Sequence, residues 1–100
     1  MIRKQTNRFK HSLKRLAKRH YPIELIGKVV DAIEAQDKRL LKKANDHPLK
    51  NNWQGYRAFH PGRLAKGNHQ VLDNWIVIYT VNDEEVIVLT LIDTGSHDIL

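Results

Sequence analysis

Three histidines, His47, His60 and His97, have the types and settings to do chemistry in this chain. Each stands at the margin of a segment that reads as a strand, and none falls inside an apolar stripe. Imidazole titrates near neutrality, so at one pH one ring can take a proton while another gives one. Cutting RNA without a metal needs that pairing: a base for the ribose 2′-hydroxyl, an acid for the departing 5′-oxygen, and cations or donors around the phosphate. A lone histidine is more often a surface residue than a catalyst. Three converging from separate elements would reverse those odds. The stretch from Asp46 to His60, the run Asp73-Asn74-Trp75 and the run Gly95-Ser96-His97 are expected to meet on one face of a small sheet.

The residues around the histidines fit the same chemistry. Lys50, Arg57, Arg63 and Lys66 are the cations expected around the phosphates. Trp53, Tyr56, Phe59 and Trp75 are rings that either pack in a core or stack on exposed bases, a contact worth about 1–3 kcal/mol per base. Trp75, at a strand mouth, is the tryptophan expected to touch RNA, and Trp53 the one expected to plug the end of a helix layer. His47, His60, His69, Asp73, Asp93 and His97 are also potential metal ligands. No two of them show a ligand-motif spacing, and there is no cysteine to complete a structural site, so neither a metal nor any other cofactor is expected.

Positioning these groups falls to one domain, residues 1–100, with a single core. Seventeen Lys and Arg against eleven Asp and Glu give a formal charge of +6, which suits an anionic partner. The absence of cysteine fits a reducing compartment. The basic N-terminus lacks the apolar region of a signal peptide, and no apolar run is long enough to cross a bilayer, so a cytoplasmic protein is expected. Residues 1–5 read as an edge strand or a disordered start. From a cap at Thr6 or Asn7, the spacing of Phe9, Leu13, Leu16 and Ala17 predicts a helix to about His20 whose outer face carries six Lys and Arg. Pro22 and the stripe Ile23, Ile26, Val30, Ile33 predict a second helix, in which Gly27 is expected to allow close helix packing. Leu40 and Leu41 prolong this helix or form a further turn, and Pro48 ends any helical option.

Beyond it the period changes to that of strands. Gly55–His60 reads as a strand, Pro61–Asn68 as a mobile basic loop, and Val71–Val81 and Glu85–Ile92 as two strands apolar on both faces, covered by the helix pair on one side and by a protein partner on the other. Helices first and a strand meander after predict an α+β fold, two N-terminal helices packed on a twisted antiparallel sheet.

These residues carry a resemblance. His47-Pro48-Leu49, Trp53-Gln54-Gly55-Tyr56-Arg57, His60, Trp75-Ile76-Val77-Ile78-Tyr79 and Thr94-Gly95-Ser96-His97-Asp98 resemble the YafQ branch of the RelE/ParE toxin superfamily; the basic pattern from Arg8 to Arg19 is similar to that superfamily's first helix. The resemblance implies a compact fold like that of microbial ribonucleases. It also implies an mRNA interferase: a metal-independent endoribonuclease that cuts translated message in the ribosomal A site, in contact with ribosomal RNA. An acidic antitoxin would hold it inactive, and the toxin–antitoxin complex would bind operator DNA through that antitoxin. In the family, the histidines matching His47, His60 and His97 take part in catalysis, as does an acid directly before the tryptophan matching Trp75.

The sequence departs from the family pattern at three places. The family's acid falls on Asn74, and the carboxylate is Asp73, which a regular strand turns to the opposite face unless a bulge or loop re-aims it. Asp98-Ile99-Leu100 stands where relatives tend to have an aromatic residue, leaving stacking there lost, supplied by Trp75, or cut off with a clipped C-terminus. The Pro61–Gln70 connection is longer than is typical of the family and could add ribosomal RNA contacts through Arg63 and Lys66. Two further functions fit the same fold: a ParE-like toxin that binds gyrase without cutting nucleic acid and does not need the three histidines, and a noncatalytic RNA-binding module for which the basic helix matters most.

Overall fold

Thr6, one of the two expected caps, begins the helical layer. Its extended backbone lets Oγ1 accept the Phe9 N–H at 3.0 Å, which caps α1 (Asn7–Lys18). The structure is a computed structural model that describes residues 1–66 and 70–100. Phe9 and Leu16 of α1 are buried, with Leu13 packed beside them. In α2 (Glu24–Ala35) the buried residues Leu25, Ile26, Val29 and Val30 follow helical spacing. Asp37 then accepts the Leu40 N–H at 3.2 Å and starts the short α3 (Lys38–Lys43).

Five strands follow the order β1-β5-β4-β3-β2, where β1 is Ile2–Gln5, β2 is His47–Pro48, β3 is Arg57–Phe59, β4 is Trp75–Asn82 and β5 is Val88–Ser96. The pairs β2–β3, β3–β4 and β4–β5 are antiparallel, which gives the meander that the order of elements predicts within an α+β fold. β1 adds a parallel edge, with Ile2 opposite Val88 and Gln5 opposite Leu91. Phe59, Trp75, Val77, Tyr79, Leu89 and Leu91 face the helices in one cluster. Each large apolar side chain fully buried this way contributes roughly 1.5–3 kcal/mol.

Several local expectations are overturned. The segment 71–74 is not strand: a four-residue helix, α4 (Gln70–Asp73), precedes β4. β5 starts later and runs to Ser96, past the expected end at Ile92. Pro61–Leu64 is a tight 3-10 turn with Pro61 and Gly62 buried, not a loop reaching from the sheet; Gly67, Asn68 and His69 lie outside the described residues. Gly27 faces open space, since a Cβ there would meet nothing within 4 Å, so it makes no close helix contact. Trp53 is absent from the helix-facing cluster; it stands edge-on to Tyr56, and its Nε1 donates to the Leu100 carbonyl at 3.3 Å. On the other side of the sheet, Ile76 and Ile78 are buried. Gly95, the register partner of Ile76, lies against the Ile99 side chain of the C-terminal turn.

Candidate active site

The antiparallel register brings together one end of four neighbouring strands. His47 opens β2 opposite Ala58; His60 follows the end of β3; Asp73 and Asn74 precede β4; His97 follows the end of β5, where Ser96 pairs with Trp75. Local geometry then aims the side chains. The His60 N–H donates to the Ala44 carbonyl at 2.7 Å, tying the end of β3 to the end of α3. Asn45 has a left-handed backbone, φ 53°, a conformation that Asn tolerates better than most residues, and its carbonyl turns toward His47. Ser96 Oγ accepts the Asp98 N–H at 3.3 Å and caps the turn that carries His97.

The result is a row of three imidazoles with His60 in the middle. Its centroid lies 6.0 Å from that of His47, the rings 26° apart, and 5.1 Å from that of His97, at 43°. Each Nδ1 faces an oxygen: His47 the Asn45 carbonyl at 2.7 Å, His60 the Asp73 carbonyl at 3.2 Å, and His97 Oδ1 of Asn74 at 2.7 Å. A carbonyl oxygen only accepts, so in the neutral rings the proton sits on Nδ1, and Nε2 is the nitrogen left to exchange protons. His60 is 3 % exposed, His47 half-buried and His97 exposed. Burial disfavours the imidazolium of His60 and lowers its pKa from the ordinary value; the Asp73 carbonyl works the other way, and the positive charge of Arg63 adds to the lowering.

Asp73 reaches this row through its backbone, because its exposed side chain lies at the end of α4 while its carbonyl holds His60. Asn74 does what a carboxylate at that position would do sterically: its Oδ1 takes both the ring Nδ1–H and, at 3.4 Å, the backbone N–H of His97. The sequence marks Asn74 as a departure from the family, and this clamp is the role that the departure concealed. Among the described residues no group of three or more His, Asp or Glu side chains is arranged to hold a metal ion.

The expected substrate contacts divide. Arg63 is exposed in the turn directly after His60, and its charge is felt there. Lys50 and Lys66 are exposed, Lys50 just beyond β2 and Lys66 just beyond the 3-10 turn. Arg57 is engaged beside His47: Nη2 donates to Asp46 Oδ2 at 2.8 Å and Nε to the Tyr79 hydroxyl at 3.3 Å, while that hydroxyl donates to Asp46 Oδ1. Trp75 is packed inside and not presented at the strand mouth as expected. It is 1 % exposed, stands edge-on to Tyr21 at 5.3 Å, and its Nε1 donates to Thr94 Oγ1 at 2.8 Å. An apolar ring at a strand mouth is legible in the sequence; which side of the mouth the helices cover is not.

The chain matches the family model described as the bacterial toxin of type II toxin–antitoxin systems, YafQ, over residues 1–100. No curated protein sequence matches it. Among solved structures it is similar to YafQ from E. coli strain BL21(DE3), with 24 % identity over 97 % of this chain and 93 % of that one and a TM-score of 0.73. It is likewise similar to the toxin in a crystal structure of the E. coli DinJ-YafQ complex, with 26 % identity over 98 % and 94 % of the two chains and a TM-score of 0.72. A metal-bound toxin from Helicobacter pylori shows 27 % identity over 100 % and 98 % of the chains, with a TM-score of 0.76. The family model spans the full chain and the fold agrees with it: this chain belongs to the YafQ family of type II toxin–antitoxin toxins, within the RelE superfamily.

Proposed function

We propose that this toxin is a metal-independent mRNA endoribonuclease that cuts translated message in the ribosomal A site. One observation carries the reading: three imidazoles from separate elements stand in a row, each with Nδ1 engaged by an oxygen. A neutral Nε2 removes the proton of the 2′-hydroxyl, whose oxygen attacks the adjacent phosphorus; an imidazolium protonates the departing 5′-oxygen, leaving a 2′,3′-cyclic phosphate. His97 and His47, the two rings that solvent reaches, make these transfers. His60 stands between them, with burial disfavouring its imidazolium, and keeps their spacing. Asp73 contributes its carbonyl to His60, and Arg63, Lys50 and Lys66 stabilise the phosphate charge. The partner that restrains the toxin is an acidic antitoxin, through which the complex binds operator DNA. A reading at the ribosome places the protein in the cytoplasm, and among the described residues no helix is long and apolar enough to cross a membrane.

The test is to induce the protein in a bacterium and map 5′ ends on a translated message and on its start-codon mutant. Codon-phased cuts confined to the translated message are expected. An intact message accompanied by double-strand DNA breaks would instead mark a gyrase inhibitor, and binding without cuts a noncatalytic RNA module. His97→Ala and His60→Ala are each expected to abolish toxicity while the variants still bind antitoxin; wild-type toxicity in both discards the site.

A further inference from the structure

We propose that the cleft between α1 and the end of β5 is a track for the phosphodiester backbone of single-stranded RNA, leading to His97. The proposal rests on the nuclease reading for what arrives at that ring. The cleft encloses about 610 Å³. One wall is a single face of α1, where Arg8, His11, Arg15 and the pair Lys18 and Arg19 recur at helical steps. The floor is the strand Asp93–Ser96, which covers roughly 10 Å at about 3.3 Å per residue. Its end is the residue that caps the His97 turn.

Charge decides what the cleft accepts. Four permanent cations line it against one carboxylate, Asp93, and that carboxylate is engaged: Oδ1 accepts Ser12 Oγ–H at 2.7 Å and the Thr94 N–H at 2.8 Å, while Oδ2 faces Arg8 Nε at 3.4 Å. Arg19 lies over the Tyr21 ring, 5.6 Å from its centroid, a flat pair against which a base can stack. An acidic peptide would feel the same field. The unbroken floor from the cations to the histidine row favours instead the polyanion on which that row would act.

The test measures binding of a short fluorescein-labelled 2′-O-methyl RNA, which has no free 2′-hydroxyl to attack, to the full chain across a salt series. The combined variant Arg8→Gln, Arg15→Gln, Lys18→Gln is expected to bind at least about tenfold more weakly, with the slope of log affinity against log salt reduced by about 2, three contacts at roughly 0.7 each. A control variant, Lys38→Gln, Lys42→Gln, Lys43→Gln on α3, is expected to change little. Equal losses in the two variants would reduce the effect to net charge and overturn the track. Unchanged RNA affinity with lost antitoxin binding in the α1 variant would also overturn it, assigning the cleft to a protein. If the α1 variant behaves as expected while the wild-type protein leaves translated message intact, the track stands and the nuclease reading fails.

Discussion

His60 shows how one side chain ties the site to the fold. Its ring is buried between two others and its Nδ1 is satisfied by a carbonyl, so the folded protein favours the neutral form. The folded-state pKa therefore lies below the ordinary 6.5, and the unfolded chain binds this proton more tightly. Stability from this residue is present above the unfolded value and is lost as the pH falls through 6.5 toward the folded value. Urea unfolding of the wild type at about pH 7.5 and about pH 5.5 is expected to show this loss, and His60→Gln to show a smaller one. An equal acid loss in both proteins would assign it to other groups. Asn74 is the complementary case, a neutral amide that fixes the neighbouring ring from outside the row.

Among the elements, the turn Pro61–Leu64 and α4 act as a unit, and Gly62 is where they touch. A Cβ at position 62 would come within 2.3 Å of the Leu72 carbonyl oxygen, a backbone atom one residue ahead of the Asp73 that holds His60. Gly62→Ala must move α4 or the turn. Overpacking of this kind costs about 1–3 kcal/mol. In a domain of this size each kcal/mol lowers the melting temperature by roughly 4–8 °C, which thermal denaturation would read. Cleavage is expected to fall along with it because the Asp73 carbonyl shifts; a variant with wild-type melting and activity would show that the contact is soft. At the start of α1, Thr6 plays the equivalent part, joining the helix to β5 by capping Phe9 and donating from Oγ1 to the Ile92 carbonyl.

Across the whole molecule, the parallel pairing of β1 with β5 joins residues 2–5 to residues 88–91, nearly the full length of the chain apart. This edge shields β5 and is pinned to α2 by Arg3, which donates to Asp31 at 2.8 Å and Glu34 at 2.6 Å. Exposed pairs of this type contribute only about 0–1 kcal/mol each, so the strand hydrogen bonds and the cover over β5 matter more. Deleting residues 2–5 is expected to lower the urea midpoint and, by opening an edge, to promote self-association visible in light scattering. Retention of the wild-type midpoint would mean that the edge is ornamental. The histidine row lies at the other end of β5, past Ser96, so antitoxin binding should report whether the shortened chain keeps its remaining surface.

The first two helices and the two long central strands were legible in the sequence, because helical and strand periods are local properties of a chain. The sequence also named the three histidines, since ionisable rings at strand margins stand out against apolar runs. Tertiary structure decided the rest. Whether Trp75 meets solvent depends on Tyr21 and Thr94, which approach from distant positions; whether Arg57 is available depends on Asp46 and Tyr79; whether Asp73 acts by carboxylate or carbonyl depends on a helical turn that its strand-like sequence concealed. A residue type fixes what a group can do, but the neighbours that bury it, pair it or turn it away are brought by strand register and packing, and these are settled only when the whole sheet closes.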